Sequence, residues 1–409
     1  MKVVILSATF PPMRSGGSDY AFWLCRRLAA MGLEIEVVTS RINQVATDPT
    51  FQVFPLMKHW SWREMPRLLR FLRRSKPDLV NLHFQNEIYH NHPMVTLVPV
   101  FLKRMDPSLR IVTHMEFPGG MKLHQQPRTT RAVRRAVVRW LNAPEIDYHY
   151  GGVLSHSDTI IILSDTHRQV LEDVLPGVGV KCVLIPPSPN LRLYQGNADE
   201  ARRRGRELLR ISADELLIAF YGYLYPSKGI ETLIRAFALL ASRRRRVRLL
   251  IIGGDNQISL RVHNRPGYVN ELLELARREG VAEQITWTGY CPSENHLGSL
   301  YLRSADLCIL PFDNGIHLNN SSFAVAASHG LAVVTTKGAV VEAPFLDGEN
   351  VVLCQPRDPQ ALVRAIEFIL DDPNLKRKVE AGSLTLAREW FSWEASLERT
   401  MKVFRDSRN

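Results

Sequence analysis

The sequence predicts an α/β protein in which two Rossmann-like, doubly wound domains follow one another and face each other across a cleft. Short, fully apolar runs such as residues 307–312 are typical of strands that helices cover on both faces. Many of these runs are followed by a loop rich in glycine or proline and then by a segment of helical periodicity. This alternation indicates parallel strands joined by crossover helices. With 409 residues, 45% of them hydrophobic, the chain is long enough for two separate cores.

The first half of the chain shows the alternation from its start. A strand over residues 2–9 is followed by a loop, by a helix over 18–31 that stops at Gly32, and by a strand over 35–39. No G-x-G-x-x-G motif follows the first strand, which disfavours a nicotinamide dehydrogenase. Further along we predict a basic amphipathic helix over 65–75 and strands over 78–83, 111–114, 159–163 and 182–185.

A proline-rich segment at residues 186–190 interrupts the alternation. Together with the polar residues 196–200 it is interpreted as a linker, which places the two domains at residues 1–190 and 191–393. In the second domain the predicted strands cover 218–221, 249–252, 285–288, 307–312 and 331–335, and the predicted helices cover 230–240, 268–278, 294–302, 323–327, 358–370 and 373–382.

The net charge of +11 is concentrated in the first domain. Residues 1–190 contain 23 Lys and Arg against 15 Asp and Glu, whereas the rest of the chain contains 29 against 26. Such a bias suggests an anionic membrane surface, an anionic substrate or nucleic acid, of which we expect the first two. The basic stretch from Arg128 to Arg139 continues to Trp140 and could lie as a helix on an anionic bilayer, although an ordinary surface helix has the same pattern.

The five cysteines are scattered, odd in number and not spaced for a zinc site. Most of them lie in apolar runs, which predicts reduced core residues of a cytoplasmic protein. The apolar run at the N-terminus is too short for a signal peptide, and no run of about 18 apolar residues occurs. We therefore expect a soluble protein that is at most peripheral on the inner face of the cell membrane.

Residues 307–336 carry the clearest site prediction. Asn319, Asn320, Ser321 and Ser322 immediately precede an apolar helix, which begins just beyond the carboxyl end of a strand and stops at Gly330. In an open parallel sheet ligands bind at that edge, and the start of a helix attracts anions. The sequence therefore predicts a phosphate site here, and the alternative is that these residues only cap a crossover helix.

Further candidate residues also lie at predicted strand ends. Lys228 lies in a glycine-bounded loop and could offer its charge to a phosphate, although a solvated loop lysine is the commoner case. His114 ends a strand on the ligand edge, where a structural histidine is the alternative. Gly16 and Gly17 could let the backbone approach a ligand or form a flexible turn.

In their order and spacing, these fragments resemble the retaining GT-B glycosyltransferases of family four, group 1, over nearly the whole chain. Each fragment is weak alone, but their shared order is a strong signal. In the first domain, Phe10-Pro11-Pro12 with Gly16-Gly17 resembles the family's N-terminal glycine loop. In the second domain, Lys228-Gly229-Ile230 resembles its lysine-glycine helix start, and Gly253-Gly254 resembles its glycine turn. Thr288-Gly289-Tyr290 resembles the loop that faces the base, and Gly330 to Val334 resembles the strand after the family's signature.

The chain also departs from the family pattern. Members usually carry two glutamates in an E-x7-E motif, and the corresponding positions here are His317 and Val325. An arginine that commonly shares the diphosphate with the lysine corresponds to Tyr223. The sequence therefore resembles a branch in which residues 315–322 replace the acidic motif, with Asn319 and Asn320 facing the donor.

The resemblance implies transfer of a sugar, with retention, from a nucleotide diphosphate sugar to a glycan or lipid-linked acceptor in bacterial surface polysaccharide or glycolipid synthesis. It implies no metal or other cofactor, no dedicated protein base, and a terminal helix over about 394–409 that packs back on the first domain. The implied site residues are His114 and Lys228 as catalytic groups; Gly16, Gly17, Lys228, Asn320, Ser321 and Ser322 at the phosphates; His114, His317 and Asn319 at the donor sugar; and Gly222, Tyr223, Tyr290 and Glu342 at the nucleoside.

Two other functions stay open at this point. The missing glutamates and arginine motivate a catalytically weak GT-B protein that binds a partner enzyme. A nucleotide-sugar epimerase on the same fold is a less favoured alternative.

Overall fold

The structure is a computed structural model that describes residues 1–42, 44–118, 136 and 150–406. The chain forms two compact units. The first contains Met1–Met13, Gly17–Pro186 and Leu397–Asn409, and the second contains Arg14–Gly16 and Pro187–Ser396. The break after Pro186 lies at the start of the proline-rich segment that the sequence marks as a linker.

The first unit is built on a parallel sheet, which in the described part of the chain has seven strands in the order β3-β2-β1-β4-β5-β6-β7. The direction of strand addition reverses between β1 and β4, as in a doubly wound fold. The strands are β1 Lys2–Leu6, β2 Glu34–Ser40, β3 Gln52–Met57, β4 Leu79–Phe84, β5 Arg110–Met115, β6 Thr159–Ile162 and β7 Cys182–Leu184. The helices are α1 Gly16–Ala30, α2 Met65–Ser75, α3 Val98–Met105, α4 Gly151–His156 and α5 Asp165–Val174.

The second unit repeats this plan with six parallel strands in the order β10-β9-β8-β11-β12-β13. The two sheets confirm the predicted α/β class with two doubly wound domains. The strands are β8 Leu216–Tyr221, β9 Val247–Ile252, β10 Ile285–Gly289, β11 Leu307–Leu310, β12 Val333–Thr336 and β13 Val352–Cys354. The helices are α6 Ala198–Leu209, α7 Ile230–Arg243, α8 Gln257–Val262, α9 Tyr268–Arg278, α10 Leu297–Ser304, α11 Ser321–Ser328, α12 Pro359–Asp371, α13 Pro373–Leu386 and α14 Trp393–Asp406.

The polar segment after residue 196 is not a linker, which corrects the sequence interpretation. Asn197 begins helix α6, and its side-chain oxygen accepts hydrogen bonds from the backbone N–H groups of Asp199 and Glu200 at 2.9 and 3.0 Å. This is the usual role of an N-cap asparagine. The helix has few apolar residues because much of its surface is exposed, so the composition of this segment is similar to that of a polar loop.

Strand β3 was missed because Pro55 lies inside it. Proline lacks the backbone donor that a central strand needs, which argues against a strand at this position. In the structure β3 is the edge of the first sheet and pairs on one side only, with β2, so the missing donor can face away from the sheet.

Helix α14 carries the chain from the second unit to the first. At its start, Trp393 Nε1 donates to the Pro189 carbonyl at 2.9 Å within the second unit. Near its end, the Arg405 carbonyl accepts a hydrogen bond from Arg110 Nη1 at 3.3 Å within the first unit. The change of unit falls between Ser396 and Leu397.

All five cysteines are free thiols, and four of them are buried. The proposed membrane-binding stretch at residues 128–141 lies outside the described residues, apart from Ala136. Among the helices that are described, none combines the length and the hydropathy required to cross a bilayer.

Stability should fall in acid because of His329. Burial lowers the pKa of His329 to about 4, and its ring nitrogens lie 2.7 Å from Ser299 Oγ and from the Val325 carbonyl. The unfolded chain takes up the proton near pH 6.5, so this contribution is complete above that pH and is lost as the pH falls toward 4. We expect a loss of about 2 kcal/mol between about pH 7.5 and 5 in denaturant titrations. The variant His329→Gln should lose less stability over the same range, and an equal loss would contradict this assignment.

Candidate functional site

The second sheet reverses direction between β8 and β11, and the loops that leave these two strands pack tightly together. The backbone N–H of Asp313 donates to the Ser227 carbonyl at 3.0 Å. Gly229 has a φ of +71°, and a Cβ at this position would lie 1.7 Å from the Pro311 carbonyl oxygen. The two loops therefore form one structure at the edge where ligands bind in doubly wound sheets.

Lys228 lies within this structure and is only 9% exposed. Its Nζ is 5.2 Å from the ring centroid of Tyr225 and 4.8 Å from that of Phe312. Within the described part of the chain no carboxylate pairs with it. The two rings offset part of the cost of burying an ammonium, but a buried charge usually has a counter-charge. The site is therefore suited to an anionic ligand.

Helix α11 begins at Ser321, next to the carboxyl ends of β8 and β11. Ser322 Oγ lies against Gly222, where a Cβ would be 2.6 Å from it. Asn320 occupies the N-cap position, but its side chain does not cap the helix, which corrects the sequence interpretation. Instead, Asn320 Oδ1 accepts the backbone N–H of His317 at 2.7 Å and so shapes the loop before the helix.

Glu342 supports the same loop from the next strand connection. Its side chain is 3% exposed, and Oε2 accepts the backbone N–H of Leu318 at 2.7 Å and lies 3.4 Å from His317 Nδ1. A carboxylate therefore reaches the loop that contains His317. The predicted contact of Glu342 with a ribose stays a prediction.

A cavity of about 400 Å³ opens beside the loops that follow β8, β9 and β10. The rings of Tyr223 and Tyr290 stack near its wall, with centroids 6.1 Å apart and an interplanar angle of 20°. Gly253 lies so close to Gly222 that a Cβ would be 1.9 Å from the Gly222 carbonyl oxygen. The volume and the apolar walls are suited to a planar ring. The residues that line it include Leu224, Gly253, Gly254, Trp287, Gly289 and Tyr290.

The first unit has its own polar cluster at the carboxyl ends of β4 and β5. The rings of His83 and His114 stack with centroids 4.8 Å apart, and His83 Nδ1 lies 3.4 Å from Glu116 Oε1. His114 is 1% exposed, and its two ring nitrogens have no hydrogen-bond partner among the described residues. Burial, with a smaller effect of His83, holds the pKa of His114 well below its usual value, so the ring is neutral.

Gly17 belongs to this cluster, because a Cβ there would lie 2.2 Å from Glu116 Oε2. Gly16 and Gly17 are the first two residues of α1, although Gly16 groups with the second unit. His83 and Glu116 are not among the predicted site residues. Their position could have indicated a role in the site, because both residues lie at the carboxyl ends of the neighbouring strands β4 and β5. His83 is the direct partner of His114 in this strand pair.

The structure thus brings the predicted residues together in two groups, one in each unit. The first unit holds Gly17 and His114, and the second unit holds Gly222, Tyr223, Lys228, Tyr290, His317, Asn319, Asn320, Ser321, Ser322 and Glu342. Where the structure describes the chain, no three His, Cys, Asp or Glu side chains cluster closely enough to hold a metal ion. The expectation that no metal is required stays a prediction.

Two protein-family models match the chain, one for each half. The model described as Glycosyltransferase Family 4 matches residues 14–191, and the model described as Glycosyl transferases group 1 matches residues 202–383. The second match includes the loop with Lys228, the loops after β8, β9 and β10 that line the cavity, and helix α11.

Curated relatives carry the name D-inositol 3-phosphate glycosyltransferase. The protein from Corynebacterium diphtheriae is 27% identical over 430 residues, which covers 100% of this chain and 95% of the relative. The protein from Thermomonospora curvata is 28% identical over 239 residues, and this match spans 56% of this chain and half of the relative.

Solved structures share the fold over the whole chain. Sucrose-phosphate synthase from Thermosynechococcus elongatus superposes with a TM-score of 0.71 at 19% identity and covers 99% of this chain and 98% of its own. Anabaena HepE in complex with UDP-glucose gives a TM-score of 0.69 at 15% identity, with 99% of each chain covered. The fold and the two family models agree: the chain belongs to the GT-B glycosyltransferases of group 1.

Proposed function

We propose that this glycosyltransferase moves a sugar from a nucleoside diphosphate donor to a glycan or lipid-linked acceptor, with retention of the anomeric configuration and without a metal. The acceptor belongs to a bacterial surface polysaccharide or glycolipid. The observation that carries the proposal is Lys228, an almost buried cation at the switch point of the second sheet that pairs with no carboxylate among the described residues.

The donor diphosphate supplies the missing negative charge. Lys228 and the start of α11 belong to the loops and helix that meet at the ends of β8 and β11, so both can act on one pyrophosphate group. When the sugar leaves, negative charge grows on the diphosphate, and a fixed cation in a water-poor site stabilises it. Asn320 and Glu342 hold the loop before the helix, which keeps this geometry in the absence of the usual glutamates.

The nucleoside occupies the 400 Å³ cavity next to Tyr223 and Tyr290. A base stacks readily on an aromatic ring, and the glycines at 253 and 254 allow the ligand to approach the backbone. The solved structure of Anabaena HepE holds UDP-glucose in the same fold, which supports a nucleotide-sugar donor.

We also propose His114 as a contact of the donor sugar. A neutral imidazole can hydrogen-bond a hydroxyl without adding a charge, and the low pKa of His114 suits that role. A donor phosphate oxygen takes the proton of the attacking hydroxyl, so no protein base is required. We further propose that the enzyme acts in the cytoplasm and that the basic residues 128–139 hold it on the inner membrane surface.

A thermal-shift screen of the purified chain with ADP, GDP, UDP, CDP and dTDP tests the proposal. One nucleoside diphosphate should raise the melting temperature by several degrees, because a ligand at 100 times its dissociation constant adds about 2.7 kcal/mol of stability. The matching nucleotide sugar should be hydrolysed slowly, and excess EDTA should leave this activity unchanged.

The other outcomes separate the alternatives. If no nucleoside diphosphate alters the melting temperature, the chain is better explained as a protein that binds a partner enzyme. If the sugar of the donor changes configuration without an acceptor, an epimerase is indicated.

A further inference from the structure

A second cavity, of about 740 Å³, lies in the first unit, at the amino ends of the strands of its sheet. It lies where strands β5 and β6 begin, whereas His114 lies where β5 ends. Five residue steps of extended chain separate Arg110 from Met115, which is about 17 Å. The cavity is therefore remote from the polar cluster around His114. Its walls come from the ends of α3 and α4, from the loops before β6 and β7, and from the last turns of α14.

Charged side chains dominate the walls of this cavity. Two carboxylates, Asp158 and Asp406, face four cationic groups. Asp158 is already engaged, because Oδ2 accepts the backbone N–H of Ile111 and Oδ1 accepts Lys103 Nζ, both at 2.8 Å. The wall therefore has an excess of two positive charges. The four cationic residues are Lys103, Lys181, Arg399 and Lys402.

Burial and the charges of the wall together shift the pKa values of two wall residues, Lys181 and His156. Burial lowers the pKa of Lys181, and Lys103 lowers it further, while Asp158 acts in the opposite direction. Burial likewise lowers the pKa of His156, and Lys181 is the largest of the cations that add to the effect. Lys181 Nζ donates to the carbonyls of Ser155 and Ser157 at 3.0 and 3.2 Å. Since an ammonium has three donors, one N–H of Lys181 remains for a ligand.

We propose that this cavity binds a phosphate-bearing anion at a site separate from the sugar-transfer site. A cavity of this size holds a phosphate group together with a small organic portion. Lysine and arginine side chains converging on one space are the typical protein partners of phosphate. Both a soluble phosphorylated molecule and the headgroup of an anionic lipid present this chemistry. Because α14 contributes two of the cations, the bound anion also fastens the end of α14 to the first unit.

The test uses the full-length chain and inorganic pyrophosphate as the probe. All variants carry Lys228→Ala, so that the proposed donor site contributes little to binding. Lys402→Glu should weaken pyrophosphate affinity at least tenfold, because it reverses one charge in the wall. Arg405→Glu is the matched control, since it makes the same charge change on the same helix at an exposed residue outside the wall. It should alter the affinity by less than about twofold.

Calorimetric titration measures these affinities. Equal effects of Lys402→Glu and Arg405→Glu, or no pyrophosphate binding to the parent, would overturn the soluble-ligand form of the proposal. Lys402 is exposed, so its replacement should not prevent folding. Lys402→Gln provides a second variant, with a smaller loss in the same direction.

Vesicles distinguish the two sources of phosphate. If the ligand is a lipid headgroup, vesicles containing phosphatidic acid should bind the parent and the Arg405→Glu protein equally well and the Lys402→Glu protein several-fold more weakly. Residues 128–139 are the same in all three proteins, so their contribution cancels in this comparison. If only pyrophosphate depends on Lys402, the ligand is a soluble phosphate. If neither probe depends on Lys402, the proposal is wrong, whatever the donor screen finds.

Discussion

Replacing Lys228 by alanine is expected to lower kcat/KM for the donor by about a thousandfold, because it removes the main fixed charge that we assign to the leaving diphosphate. The affinity for the nucleoside diphosphate should fall as well. The melting temperature of the free protein should stay constant or rise. Lys228 is a nearly buried ammonium that pairs with no carboxylate where the structure describes the chain, and such a charge costs folding energy. A lysine with a purely structural role would give the opposite result, a less stable protein with unchanged nucleotide affinity.

Two further variants make the Lys228 measurement specific. Lys228→Met keeps most of the contact with Tyr225 and Phe312 but has no charge, so it should behave like the alanine variant in binding. Lys337→Ala removes an exposed lysine after strand β12 and should leave both nucleotide affinity and stability near their original values. Nucleotide titration and thermal melting of the four proteins give the comparison.

Replacing Gly229 by alanine is expected to destabilise the second unit by about 3 kcal/mol or more. The left-handed backbone alone costs a residue with a Cβ about 1–2 kcal/mol. In addition, the new Cβ would lie 1.7 Å from the Pro311 carbonyl oxygen, so the loop after β11 has to move. Gly348 is a matched control, because it has the same φ of +71° and nothing within 4 Å of the position of a Cβ. Gly348→Ala should therefore show the backbone cost alone.

Denaturant titration of the two glycine variants separates the steric effect from the backbone effect. Similar losses for Gly229→Ala and Gly348→Ala would show that the close packing against Pro311 is not required. Because Phe312 contacts Lys228, movement of this loop should also weaken nucleotide binding in the Gly229 variant. Gly348→Ala should bind nucleotide normally.

Much of the fold could be predicted from hydrophobic patterning. A fully apolar run marked β11, and helix α2 has the predicted limits because its apolar and basic residues alternate cleanly. Local pattern does not predict a strand where tertiary context outweighs it. A proline is compatible with β3 only because that strand is at an edge, and β13 is too short to produce a pattern.

The candidate site was partly predictable for a similar reason. The rule that ligands bind at the carboxyl ends of strands is enough to predict Lys228 and the start of α11 as site candidates from the sequence. Contacts between distant residues could not be obtained this way. Glu342 holds the backbone of Leu318 across 24 residues of sequence, and the Asn320 side chain turns back to His317 instead of capping its helix. These bonds depend on side-chain directions that one sequence does not specify.

The first unit is assembled from both ends of the chain, and Arg110 joins them. Its guanidinium lies 3.2 Å from the Met1 sulfur and donates to the Arg405 carbonyl at 3.3 Å. A fragment of the first unit that stops before residue 397 therefore lacks the part of α14 that belongs to this unit. Since both ends meet at one arginine, a short peptide could connect residue 406 directly to Met1. The isolated first unit is thus best prepared as a circular permutant rather than as a truncation.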